Sequence, residues 1–241
     1  MNHVSIRNLR NLLAKLEAED PGYRVYGSEQ HKYRIGPPLP EHELRAFEQE
    51  HRVILPPDYR QFLKLAGTGA GPGHGVRPLN GSATECDPGR PFPLTVSCRN
   101  EPVTAPDAWG ETEKWPGVVE LSYGGCAFFS YLVVNGATYG TVWEADVDLR
   151  TFFPTGLSFE SWYGRWITML EDRALPILAN ESIVAQIEVG MTKSQVVDIC
   201  GGDWKQSPFG EQNSFLRFEH LATQFELDAR EVVIGVVRHK I

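Results

Sequence analysis

Three carboxylates stand at alternate positions in TVWEADVDL: Glu144, Asp146 and Asp148. On a β-strand successive side chains point to opposite faces, so these three share one face while Trp143, Ala145 and Val147 share the other. Such a row can ligate a hard divalent cation, supply acid–base groups, or meet a basic protein surface. It can also be a solvated face. Paired-carboxylate hydrolases hold their groups across a cleft, a geometry that three acids in line suit poorly. No glycine-centred calcium loop accompanies the row. From 101 to 150 the acids are Glu101, Asp107, Glu111, Glu113, Glu120, Glu144, Asp146 and Asp148, against only Lys114 and Arg150, in a 241-residue chain of net charge −8. A local field of one sign steers and holds a cationic partner.

Other residues with chemical potential are quieter. The stretch LPPDYRQFLKLAGTGAGPGHG, residues 55–75, is rich in glycine. Phosphate loops follow a strand and open a helix, so that the helix N-terminus faces the anion. Here the glycines follow a helix, no Gly-Lys-Ser/Thr occurs, and the reading is a tight structural loop. Cys86, Cys98, Cys126 and Cys200 form no Cys-x-x-Cys pair, and the histidines make no zinc motif. Cys126 reads as a small buried hydrophobe within a strand. No serine sits in a nucleophile elbow. No cofactor is implied. Trp109 and Trp115 lie among Glu111, Glu113 and Lys114; they fill a core edge or form an anchor for a partner.

The elements that must position these residues follow from periodicity. Ile6, Leu9, Leu13 and Leu16 recur at helical spacing over 4–19. A short hairpin is expected over 23–35. Helices follow from Glu41 to His51 and after Pro57, with Asp58 as a cap and Gly67 as the C-cap. Residues 76–117 read as a long connection with one strand near 92–97. A meander then runs from 118 to 148, with a turn at Asn135-Gly136, and Ser158 opens a helix bearing Phe159, Trp162 and Trp166. Pro176 to Asn180 read as a linker. Beyond it, Thr192 and Gln195 form a capping box, and three strands are expected at 214–219, 223–227 and 231–237.

The expected class is α+β, with a domain over 1–178 and a small module over 181–241. An acidic chain argues against nucleic acid as a partner, since phosphate contacts need concentrated Lys and Arg. No apolar run is long enough to cross a membrane, and the N-terminal stretch lacks a signal peptide's apolar core, so a cytoplasmic setting is expected.

The order of four pieces resembles the SUKH superfamily. They are LPPDYRQFLKLAGTGAGPGHGVRPL, VVELSYGGCAFFSYLVVNGATYGTVWEADVD, the helix before them, and the aromatic LSFESWYGRWI after them, spanning 39–170. Ala66-Gly67 stands where the family typically has Asn-Gly. The resemblance implies a central, mainly antiparallel sheet flanked by helices. It also implies an immunity protein that binds and neutralises a cognate secreted bacterial toxin, with nucleases among the targets, or a regulator of cell-wall assembly. The tail ILANESIVAQIEVGMTKSQVVDICGG is similar to BamE-like and β-lactamase-inhibitor-like binding modules. On these grounds the expected partner is a basic toxin domain. Glu113, Glu120, Glu144, Asp146, Asp148, Trp109 and Trp115 are the candidate contacts. The alternatives are a non-enzymatic scaffold and an enzyme using the 144–148 carboxylates.

Overall fold

The computed structural model describes residues 3–79, 86–95, 102–104, 114–210 and 213–241. The chain divides into two units. One comprises Met1–Glu17 with Gly27–Ile167, the other Ala18–Tyr26 with Thr168–Ile241. Both combine helices with antiparallel sheet, and the fold class is α+β.

In the first unit the helices are α1 (His3–Glu19), α2 (Ser28–His31), α3 (Glu41–His51), α4 (Pro57–Ala66) and α5 (Phe159–Met169). Their buried residues fall at the spacing the sequence predicts: Ile6, Leu9, Leu13 and Leu16 on α1, Leu44 and Phe47 on α3, Tyr59, Phe62, Leu63 and Ala66 on α4. Aromatic rings join α4 to α5, with Phe62 4.8 Å from Tyr163 and 5.0 Å from Phe159. Arg60 ties α4 to α3 through Glu41 at 2.8 Å and Glu48 at 3.1 Å. Asp58 is not the N-cap residue of its helix. Pro56 holds the N-cap position of α4; from within the first turn the Asp58 carboxylate accepts from Tyr59 N–H of its own helix at 2.9 Å and from Glu160 N–H, in the first turn of α5, at 3.0 Å. Ser158 does cap α5, accepting from Ser161 N–H at 3.3 Å.

The hairpin expected over 23–35 is absent. Tyr23, Lys32 and Tyr33 have φ near +50°, which no strand tolerates, and α2 occupies the middle of the stretch.

The sheet strands are β1 (Cys86–Asp87), β2 (Val103–Thr104), β3 (Trp115–Pro116), β4 (Val118–Gly125), β5 (Phe128–Val133), β6 (Thr141–Asp146) and β7 (Thr151–Ser158). Five form one antiparallel sheet in the order β2-β7-β6-β5-β4, and β1 pairs with β3 in parallel. One face carries a core of Phe92, Leu94, Val118, Tyr131, Val133, Trp143, Ala145 and Phe152. The turn at Asn135-Gly136 lies in a longer connection between β5 and β6, where Gly136 bridges to Phe92. Of the strand expected near 92–97, that bridge is what the described residues contain.

The glycine loop after α4 is a backbone knot. Gly67 caps α4, its N–H donating to Leu63 O at 3.0 Å. Gly69 and Val76 exchange hydrogen bonds at 2.8 and 2.6 Å, Ala70 N–H reaches Arg34 O at 2.7 Å, and His74 N–H reaches Tyr123 O at 2.8 Å. These amides are consumed within the fold and do not converge on an anion, in agreement with the reading from helix polarity. Gly69 has φ +113°, and a Cβ there would collide with the Arg34 carbonyl. Gly69→Ala is therefore expected to destabilise the unit by about 2 kcal/mol or more, measurable as a fall in urea midpoint with an unchanged slope.

The second unit holds a π-helical turn, Leu170–Ala174, then α6 (Leu175–Ala179), α7 (Glu181–Val184) and α8 (Lys193–Cys200). Residues 176–179, read from sequence as linker, are helical, with Ile177 and Leu178 buried. The predicted capping box is present on α8: Gln195 N–H meets Thr192 Oγ1 at 3.4 Å and Thr192 N–H meets Gln195 Oε1 at 2.9 Å. The strands β8 (Lys205–Phe209), β9 (Asn213–Phe218), β10 (Thr223–Leu227) and β11 (Val233–Arg238) form an antiparallel meander. Its core is Val184, Val196, Cys200, Leu216, Phe218, Phe225, Leu227 and Val233.

Residues 18–26 complete this unit. The Asp20 carboxylate accepts from the N–H of Arg24 at 2.8 Å and of Val25 at 3.1 Å. Tyr26 N–H donates to Ile241 O, and Ile241 N–H to Arg24 O, both at 2.9 Å. The Arg24 guanidinium pairs with Glu181 and donates to Ala222 O at 3.1 Å.

Candidate partner-binding surface

Strand β6 sorts its side chains as the alternation requires. Trp143 and Ala145 are fully buried, whereas Glu144 is exposed and Asp146 half-buried on the opposite face. Cross-strand register sets Glu144 between Ser130 of β5 and Phe153 of β7, and Asp146 between Phe128 and Thr151. Asp148 is not on the strand. The Asp146 Oδ1 accepts from Leu149 N–H at 3.0 Å, an Asx-type turn that offers the backbone an alternative to the ladder. The strand ends there, and Asp148 stands exposed in the β6–β7 turn. All three acids lie at one end of the sheet, two on its face and one at its tip.

The β4–β5 turn is beside them, with Val147 N–H donating to Ala127 O at 3.0 Å. Cys126 and Ala127 have φ of +46° and +67°. Cys126 is consequently an exposed turn residue, not the buried strand hydrophobe expected from CAFFSYLVV. Next to it Phe128 is 47% exposed, and across the neighbouring turn Leu149 is 70% exposed. An aromatic and an aliphatic side chain thus flank the acids. Sequence reading missed both, although Gly124-Gly125 is a turn signal that could have moved the strand's start beyond Cys126.

The other candidates do not join this cluster. Glu120 is 2% exposed, with Arg77 Nη1 2.9 Å from its carboxylate; it belongs to the interior. Trp115 is half-buried and packs edge-on against Phe152, ring centroids 5.3 Å apart, at the margin of the core. Trp109 and Glu113 lie outside the described residues. Among the described residues no group of three His, Cys, Asp or Glu side chains could hold a metal ion, and no helix is long and apolar enough to cross a membrane.

No protein-family model matches the chain, and neither a curated protein nor a solved structure matches it.

Proposed function

We propose that the protein is a cytoplasmic immunity protein, which binds a basic cognate toxin domain and covers its active site without chemistry of its own. The observation that carries this reading is the acidic end of the first unit's sheet, where exposed Phe128 stands opposite Asp146 in register and exposed Leu149 follows Asp148 in the turn, with Glu144 two residues back along the strand. Acids steer a cationic partner into contact, and an aromatic anchor supplies affinity once water is excluded. The SUKH-like order of motifs supports the same reading. A nuclease is the first toxin class to test, because its substrate groove is basic.

The test is co-expression with the toxic C-terminal domain of a secreted protein encoded beside this chain, scored by growth and co-purification. Rescue with a stable complex is the expected result. Toxicity without rescue or complex would refute the immunity role and send the search to pull-downs for a scaffold partner. Within the complex, reversing Glu144, Asp146 and Asp148 to Lys is expected to weaken binding about tenfold or more, mainly through slower association at low salt. Unchanged kinetics would remove this patch from the interface.

A further inference from the structure

We infer that the second unit contains a binding site for a small phosphate ester. A cavity of about 290 Å³ lies where β9, β10 and the residues after β11 meet the π turn. Arg173, Arg217 and Lys240 line it, and Glu219 is the one acid among its described lining residues. Glu219 is exposed and already paired with Lys205 at 2.9 Å. Positive charge is therefore in excess here, in a chain whose net charge is −8.

The Lys240 ammonium already donates to Tyr23 O at 2.6 Å, so the two guanidinium groups are the cations placed for use. Arg173 is near enough to Glu219 that its charge joins those of Lys205, the main cause, and Arg217 in holding that carboxyl below its usual range, and Arg217 gives one N–H to Gln224 at 3.2 Å. Guanidinium groups pair with phosphate oxygens in a two-bond fork that an ammonium does not reproduce. His239 lines the same wall. Arg173 projects from the π turn Leu170–Ala174, a distortion that recurs at functional sites because it re-aims side chains within a helix.

Size selects the class of ligand. The cavity lies at the lower end of the range for small-molecule sites, about 300 to 1,000 Å³, with room for a phosphate and a sugar-sized body. A second cavity of about 170 Å³ shares Arg217 and Glu219 with it and is lined by Trp204, which is 40% exposed. Lys193 Nζ lies over that ring, 5.0 Å from its centroid, so a further cation stands beside the indole that borders the second cavity.

Calorimetric titration of the full chain with ribose 5-phosphate, at constant ionic strength, tests the assignment. Saturable binding is expected, with ribose silent and inorganic phosphate at least tenfold weaker. Arg173→Ala with Arg217→Ala should weaken binding at least tenfold while far-UV circular dichroism stays unchanged. Should that variant misfold, amide shifts in the labelled wild-type chain decide, and they must cluster at residues 173, 217–223 and 239–240. Absence of saturation, equal affinity for ribose, equal affinity in the folded variant, or shifts mapping elsewhere would overturn the site.

Discussion

Trp143→Ala is expected to cost the first unit about 4 kcal/mol, the range for emptying a large aromatic site in a packed core. Trp143 is fully buried and meets Phe92 edge-on at 5.2 Å between ring centroids. Its neighbours in register are Tyr131 and Pro154, and its indole N–H donates to Thr141 Oγ1 at 3.2 Å. These surroundings belong to three strands and the connection before them, so they cannot all collapse into the void. The substitution also reaches the candidate surface, because Trp143 anchors the strand whose other face presents Glu144. Urea unfolding should show the loss, and hydrogen exchange should place it in β5 and β6. Trp143→Phe keeps most of the apolar volume and should cost about 2 kcal/mol or less. Equal losses for the two would mean that the indole hydrogen bond, not packing, holds the site.

Acidification is expected to weaken the same unit through His31. Burial is the main reason that this imidazole's pKa falls from 6.5 to about 4; nearby Glu29 opposes the shift and His74 adds to it. His31 is 8% exposed. Its Nδ1 accepts from Tyr33 N–H at 3.0 Å, its Nε2 is buried without a partner, and the rings of Tyr33 and Trp166 pack against it edge-on. The folded state thus keeps histidine neutral while the unfolded chain protonates it near 6.5. Between those values the unfolded state binds the extra proton, so this contribution is complete above pH 6.5 and is lost as the pH falls toward 4. The loss amounts to about 3 kcal/mol. Carboxylates add their own acid sensitivity, among them Glu41, held well below the usual range by Arg60 and then Lys64 and Arg45. Comparison with His31→Gln removes that background. The variant's stability should decline less between pH 7 and 4, and parallel pH profiles would show that His31 is not the sensor.

What could be read in advance depended on how local the cause was. α1, α3, α4 and α5 have apolar residues at helical spacing, and the capping box of α8 lies within four consecutive residues, so both were legible. β8 was not. KQSPF is exposed along its length and is a strand only because β9 pairs with it, while Pro208 and Lys205 suit an edge. Glu120 and Cys126 failed for opposite reasons. The first is buried by a pairing with Arg77 that no local pattern announces. The second is exposed by a turn of two left-handed residues, a conformation that neither Cys nor Ala advertises. At the candidate surface the alternation of Glu144 and Asp146 was visible, but the side-chain bond that ends the strand before Asp148 was not.

The second unit also has a history in time. Its segment 18–26 is synthesised early, yet its partners His239 and Lys240 lie 215 and 217 residues from the atoms they bind. At about 5 to 20 residues per second, a ribosome takes roughly 10 to 40 s to supply them. Over that interval Val25, fully covered in the finished molecule, faces solvent or whatever holds the nascent chain, and Arg24 has no Glu181 until the polypeptide has passed α6. The unit therefore assembles only after its two ends have both been made, whichever other part of the chain folds first. A fragment stopped at residue 178 would stay permanently in that waiting state.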